Sequence, residues 1–268
     1  MTAADIAKWS RFPCLGFDLE TTGTNPHEDR IVQAAVVSVK PDTDPVPFTW
    51  LADPGVDIPD EAAQVHGITT ERARADGQDI AQVLFELTGR LALWLGRGFP
   101  IAGFNLPYDL TMLEAENRRH GIDTLASRLP KGIGPVIDAM VLDRYADPYR
   151  KGVCAQDRKN PCQCGAVDKK LTSLCLHYGV ALDDAHDATA DALAAARLWP
   201  RIIARHPEKF RGFTLGALHQ GQIGWRRDQM NSLRAYFDRQ GTPHDGCDPS
   251  WPVLRAPVTT VETQGALL

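Results

Sequence analysis

Two carboxylates, Asp18 and Glu20, stand two residues apart at the end of the apolar run Pro13-Cys14-Leu15-Gly16-Phe17. On a strand, residues i and i+2 point to the same face, so both side chains project together. Like charges on one face repel unless something positive lies between them, and hard divalent cations take oxygen ligands of this kind. A solvated strand end explains the pair alone equally well. A second candidate lies in Phe104-Asn105-Leu106-Pro107-Tyr108-Asp109, which follows another short apolar run. This segment puts Asp109 in the first turn of a helix, with Asn105 as the expected N-cap. Asp109 then projects from the C-terminal end of the preceding strand, where ligand sites of α/β sheets lie. Favourable placement at a helix N-terminus is the plainer account of that residue taken singly. The third group is His186-Asp187-Ala188-Thr189-Ala190-Asp191. Five helical residues turn through about 500°, so His186 belongs on the preceding loop and Asp191 on the first turn. Asp187 or Asp184 is the expected cap of that helix.

The elements that must position these groups follow from periodicity. Residues 13–20 read as a buried strand meeting a polar site, 31–39 as a β-branched second strand and 46–51 as a third, forming an antiparallel meander. Asp60 to His66 is a short helix. Gln78 to Leu95 is the clearest helix, with Ile80, Val83, Leu84, Leu87, Leu91 and Leu95 at three- and four-residue intervals. Phe99 to Gly103 and Val136-Ile137 are short strands. Leu106 to His120, Ala139 to Tyr145, Leu171 to Tyr178 and Ala188 to Ile203 are helices. Asp138, between the last strand and the next helix, reads as a helix cap or a supporting group rather than a ligand. Three leading strands followed by alternating helices and strands specify an α/β fold around a mixed sheet.

The pattern changes beyond Pro207. Phe213 to Gln240 reads as one long helix or a helix pair, and Gly241 to Leu268 as a Pro-rich, loosely ordered tail. The expected organisation is thus a domain over 1–206 and a helical extension over 207–268. Phe213, Leu215, Leu218, Trp225, Met230, Leu233, Tyr236 and Phe237 give the long helix an apolar face with arginines beside it, for packing back on the core, for docking a partner or for gripping single-stranded nucleic acid. Residues 146–168, rich in Pro, Gly, Lys, Asp and Cys, read as a long loop or insertion.

Composition narrows the class. A chain of 268 residues with 43% hydrophobic residues buries a substantial core. No apolar run approaches the roughly 18–20 residues of a membrane span, and the N-terminal residues lack a signal-peptide pattern, so a cytoplasmic location is expected. The net charge of −5 argues against a nucleic-acid partner only if the acidic residues stay unneutralised. Charge is also uneven: residues 201–240 hold eight basic residues against Glu208, Asp228 and Asp238. The six cysteines contain no C-x-x-C pair. Cys154, Cys162 and Cys164, with Cys175 or His177, make either an irregular zinc site or scattered free thiols.

Taken together, the three groups resemble the motifs of the DEDDh 3′–5′ exonucleases. Asp18-Leu19-Glu20-Thr21-Thr22-Gly23 is similar to the first motif, Asn105 with Asp109 to the second, and His186-x-Ala188-x-x-Asp191 to the third. Ile58-Pro59, Ala62 and Val65-His66-Gly67-Ile68 are similar to the proofreading epsilon subunits of bacterial DNA polymerase III and their stand-alone relatives. The resemblance covers residues 12–200. It implies a ribonuclease H-like fold, a mixed sheet flanked by helices, here with a C-terminal helical extension. It implies that Asp18, Glu20, Asp109 and Asp191 hold two Mg²⁺ or Mn²⁺ ions and that His186 is the general base. It further implies substrate contacts from Thr22 to the terminal 3′-hydroxyl, from Leu19 and Phe104 to terminal bases, and from His66 to the strand end. The expected reaction is hydrolysis at the 3′ end of single-stranded DNA, releasing nucleoside 5′-monophosphates, alone or beside a replication partner. RNA or oligoribonucleotides are the alternative substrates, and a catalytically silent nucleic-acid-binding module is the alternative role. All five catalytic positions are present, which favours the enzyme.

Overall fold

The computed structural model describes residues 9, 11–150, 170–183, 185–244 and 246–256. Strands β1 (Cys14–Thr21), β2 (Ile31–Val39) and β3 (Val46–Asp53) form the expected antiparallel meander. They continue into a six-stranded mixed sheet with β4 (Gln78–Asp79), β5 (Ile101–Gly103) and β6 (Val136–Asp138). The order is β4-β3-β2-β1-β5-β6, with β5 parallel to both β1 and β6. The C-terminal ends of β1, β5 and β6 therefore lie at one end of the sheet, where the candidate carboxylates cluster.

Helices α1 (Asp60–His66), α2 (Thr70–Asp76), α3 (Ile80–Gly96), α4 (Leu106–Arg119), α5 (Ala139–Ala146), α6 (Leu171–Tyr178), α7 (Ala188–Arg205) and α8 (Leu215–Gln240) flank it. Period-two alternation along β1 assigns its faces. Leu15, Phe17 and Leu19 enter a core shared with Val83, Leu84, Leu87 and Leu91 of α3 and with Leu110 and Leu113 of α4. Cys14, Gly16, Asp18 and Glu20 face the other way, toward α7. That second core joins Ala102 and Ile137 to Leu142, Leu174, Leu198, Trp199 and Ile202. The apolar period read for α3 is buried as expected.

Two elements differ from the sequence reading. α2 has no apolar period because Ala73 is its buried residue; it is held instead by the Thr69 hydroxyl, which accepts from the Arg72 N–H at 3.3 Å. Gln78 and Asp79 form β4 beside β3, and α3 starts only after Asp79 caps it.

The segment beyond residue 206 also has more contacts than a loose tail. Helix α8 is continuous and packs against α5 and β6, with Leu218 and Met230 buried and Trp225 stacked on Tyr145 at 3.8 Å. The following residues, expected to be loosely ordered, run back over the core as far as 256. Trp251 and Val253 pack on the cluster under α3 and α4, and the Leu254 N–H donates to Thr111 Oγ1 at 2.8 Å. Arg234 donates to the Cys247 carbonyl at 3.0 Å, so backbone groups that proline-rich chain leaves free find partners. Among the described residues no helix is long and apolar enough to cross a membrane.

Candidate active site

The placement of β1 against α7 builds the site. A Cβ on Gly16 would lie 2.3 Å from the Ala192 carbonyl oxygen, so only glycine lets the helix backbone come this close. Alanines complete the approach: Ala188 and Ala192 pack on Ala35 and Val37 of β2. Cys14 lies against the Ala196 carbonyl and Gly16 against Ala192, so α7 runs antiparallel to β1. Its N-terminal turn, with Asp191, therefore arrives beside Asp18 and Glu20. At the same point the β1–β2 register shifts between Glu20 and Thr21, an irregularity that re-aims side chains at a strand end.

Carboxylate oxygens of Asp18, Glu20 and Asp191 all lie within 4.8 Å of one another. Asp109 is outside this tight group, yet it is the largest charge acting on Asp18. Its buried carboxylate is held by N–H groups of its own backbone and of Leu19. Burial, followed by the neighbouring carboxylates Asp109, Glu20, Asp191 and Asp187, holds the Asp18 carboxyl well above the usual carboxylate range. Burial, then Asp191 and Asp187, pushes Glu20 up to about 8. Asp109 is likewise held well above the usual range, and Asp191 is raised chiefly by burial. The charges acting on Asp18 and Glu20 are all negative. Asp191 Oδ1 is buried without a hydrogen-bond partner. Crowded hard oxygens with an orphaned acceptor, and only negative charges acting on Asp18 and Glu20, fit a divalent metal, which supplies the missing positive charge.

His186 lies on the loop before α7, exposed, with φ of 70°. That left-handed backbone conformation is uncommon for a non-glycine residue and marks a backbone held by its surroundings. Its N–H donates to Asp191 Oδ2 at 3.4 Å, so loop and carboxylate are joined. Asp187 caps α7, accepting from the N–H groups of Thr189 and Ala190, both at 3.0 Å.

The expected cap of α4 is corrected. Asn105 occupies the N-cap position but is left-handed, with φ of 62° and no side-chain capping bond. Asp138 does the capping from β6. Its carboxylate accepts from Asn105 N–H at 3.1 Å and Leu106 N–H at 3.0 Å, as well as from Met140 N–H at 2.8 Å in its own helix. A short side chain on Asn105 tolerates the αL backbone, and the fully buried Asp138 needs those donors.

The remaining sequence candidates separate. His66 is half-buried, with the Ile68 N–H donating to its Nδ1 at 3.2 Å and the Thr21 backbone beside its ring; burial lowers its pKa. Phe104 is half-buried between β5 and α4. Leu19 is 6% exposed and lies in the core on the face of β1 opposite the carboxylates. Thr22 is buried and engaged in the turn, its hydroxyl accepting from Arg30 N–H at 3.0 Å and donating to Asp29 at 3.4 Å. The structure thus brings the four carboxylates and His186 together and does not bring the Leu19 side chain with them. Of the cysteine cluster, Cys154, Cys162 and Cys164 lie outside the described residues, and Cys175 is buried.

Sequence reasoning missed Tyr108. Its hydroxyl donates to the Gly23 carbonyl at 2.5 Å and bonds Thr21 Oγ1 at 2.6 Å, pinning the turn after β1 to α4 one residue before Asp109. Adjacency to Asp109 was its one signal.

Comparison with known proteins agrees with this geometry. The RNase T family model, described as Exonuclease, matches residues 15–199. The chain belongs to the exonuclease family. Residues 15–199 are thus an exonuclease domain of the DEDD type, and its α/β sheet is the ribonuclease H-like fold. Among curated proteins it is similar to the DNA polymerase III PolC-type of Lacticaseibacillus paracasei, 26% identical over 204 residues that are 76% of this chain and 12% of that protein. It is also similar to the PolC-type enzyme of Latilactobacillus sakei, 29% identical over 72% of this chain and 11% of that protein. The chain therefore spans only a small fraction of those relatives. Among solved structures, E. coli exonuclease I in complex with a dT13 oligonucleotide superposes with a TM-score of 0.60 at 21% identity. That match covers 74% of this chain and 42% of the other, and it shows the shared fold.

Proposed function

We propose that this exonuclease removes nucleotides from the 3′ end of single-stranded DNA, releasing nucleoside 5′-monophosphates. The observation that carries the reading is the meeting of Asp18, Glu20 and Asp191 within 4.8 Å, with Asp109 beside them and Asp191 Oδ1 unpartnered, in a chain of this family. The four carboxylates would hold two Mg²⁺ or Mn²⁺ ions, which supply water activation and stabilisation of the leaving oxygen when bound. DNA is favoured because the PolC-type relatives are DNA polymerases and the E. coli exonuclease I structure carries a deoxythymidine oligonucleotide. The same relatives point to work beside a replication partner.

The chain's own residues then divide the task. His186, exposed on its strained loop, accepts the proton of the attacking water, a role suited to imidazole near neutral pH. Its N–H to Asp191 ties that base to the carboxylate cluster. Asp138 fixes the start of α4 and hence Asp109, and Tyr108 ties the turn after β1 to that helix. Phe104 and His66 flank the site as contacts for the terminal nucleotides, whereas Leu19 and Thr22 serve by packing and by holding the turn. Incubation with 5′-labelled single-stranded DNA or RNA, with Mg²⁺, Mn²⁺ or EDTA, tests the reading. A metal-dependent ladder on DNA is expected. A ladder on RNA alone would move the substrate to the alternative class, and no degradation of either polymer would overturn the proposal.

A further inference from the structure

Among the described residues β6 ends the sheet and has no strand on its outer side, and exposed strand edges carry unpaired N–H and C=O groups. Here α8 supplies partners with side chains instead. His219 Nδ1 accepts from the Val136 N–H at 3.1 Å. Gln222 Oε1 accepts from the Asp138 N–H at 2.7 Å, and its Nε2 donates to the Val136 carbonyl at 2.9 Å and to the Leu218 carbonyl at 3.1 Å. His219 and Gln222 are three residues apart and share one helix face. Val136 and Asp138 are two apart on the strand and so present their backbone groups to the same side. Gln222 is completely buried. Its amide thus spans the strand edge as a neighbouring strand would, fixing the backbone of Asp138 from outside the sheet.

Asp138 passes that constraint to the site. Its carboxylate accepts the Asn105 and Leu106 N–H groups at the left-handed entry to α4, and Asp109 stands in the first turn of that helix. We infer that Gln222 is a positioning residue for Asp109, acting through Asp138. A segment beyond the family-matched residues 15–199 is then part of what sets the cation-binding geometry. The inference rests on the proposed role of Asp109 in holding divalent metal. The coupling from Gln222 to the start of α4 is read separately by hydrogen exchange.

The test uses the full chain with Gln222→Met, which keeps the length and removes all three side-chain bonds. Gln222→Asn, with a shorter reach, is read in the same way if the first variant does not fold. Arg234→Ala is the control, because it perturbs α8 at its bond to the Cys247 carbonyl, away from Asp138. Amide exchange over residues 104–109 should accelerate in the Gln222 variant and stay unchanged in the control. Mn²⁺ affinity by calorimetry should fall about tenfold, as is usual for groups that orient metal ligands. In cleavage, kcat at fixed Mn²⁺ should fall while KM for DNA holds. Wild-type exchange and Mn²⁺ affinity in a folded Gln222 variant would overturn the inference, as would equal losses in Arg234→Ala. If the wild-type chain binds no Mn²⁺ and cuts no polymer, the functional proposal fails, and unchanged exchange at 104–109 would still be the result that rejects the coupling.

Discussion

Gly16 and Ala192 approach so closely that any Cβ at position 16 would sit 2.3 Å from the helix carbonyl. This contact sets the distance between β1, with Asp18 and Glu20, and α7, with Asp191. Gly16→Ala should therefore push α7 away from the sheet. Overpacking of this kind costs about 1–3 kcal/mol, so the melting temperature should drop measurably. Mn²⁺ affinity should fall as well, because the three proposed ligands, Asp18, Glu20 and Asp191, no longer converge. A Gly16→Ala protein with unchanged Mn²⁺ binding by calorimetry would mean that the contact does not position the site.

The clustered carboxylates make a prediction for the metal-free protein. Glu20 is pushed up to about 8, so below that pH the folded state holds a proton that an ordinary carboxylate in the unfolded chain has released. Stability is then lost as pH rises from the unfolded value toward 8. Burial lowers His66, His120, His177 and His219, whose opposite contribution is confined to pH below about 6.5. Between pH 7 and 8 the acid effect stands alone. EDTA-treated protein should melt at a lower temperature at pH 8 than at pH 7, and Glu20→Gln should flatten that slope. Added Mg²⁺ or Mn²⁺ should raise the melting temperature more at the higher pH. A metal-free protein equally stable at both values, with no flattening in the variant, would contradict the electrostatic account.

His186 is exposed, so its replacement should cost activity without costing the fold. His186→Ala should lower kcat by about 10²- to 10⁴-fold, the usual contribution of a general base. His186→Gly should lose as much activity while holding or slightly raising the melting temperature, since glycine accepts a φ of 70° without strain. Thermal melts beside single-turnover rates decide this, and a rate close to wild type in either variant would remove His186 from the mechanism.

Tyr108→Phe isolates the pin between the turn after β1 and α4. It removes the bonds to the Gly23 carbonyl and Thr21, although the Thr21 hydroxyl still reaches that carbonyl at 2.8 Å. A loss of about 1 kcal/mol is expected for such a bond. The effect on catalysis should be a higher KM with kcat little changed, because the turn borders the strand-end site and holds no metal. Steady-state kinetics on a short oligonucleotide would reveal the split, and a fall in kcat alone would argue for a direct role of the hydroxyl.

Much of this architecture was legible because its causes are local. The alternation along β1 and the three- and four-residue period of α3 announce their own faces, and residues such as Asp18 and Glu20 need only a strand to be neighbours. The loop position of His186 follows from its five-residue distance to Asp191. What could not be read are partnerships across long sequence distances. Nothing near Gly16 announces a helix backbone at residue 192, and nothing near Gln222 announces a strand edge 84 residues earlier. Asn105 looked like a cap because its type and place were right, but a carboxylate from β6 took the donors. The docking of the tail depends likewise on Thr111, 143 residues away from Leu254.

One measurement bears most directly on the claim that these carboxylates cut at the 3′ end with the help of metal. A single-stranded oligodeoxynucleotide labelled at the 3′ end, and a second labelled at the 5′ end, are each digested with Mn²⁺ by the wild-type protein and by Asp18→Asn. The account predicts immediate release of labelled mononucleotide from the first and a progressively shortening ladder from the second, with both abolished in the variant or by EDTA. Release of the 5′ label first, or digestion that survives in Asp18→Asn, would contradict it.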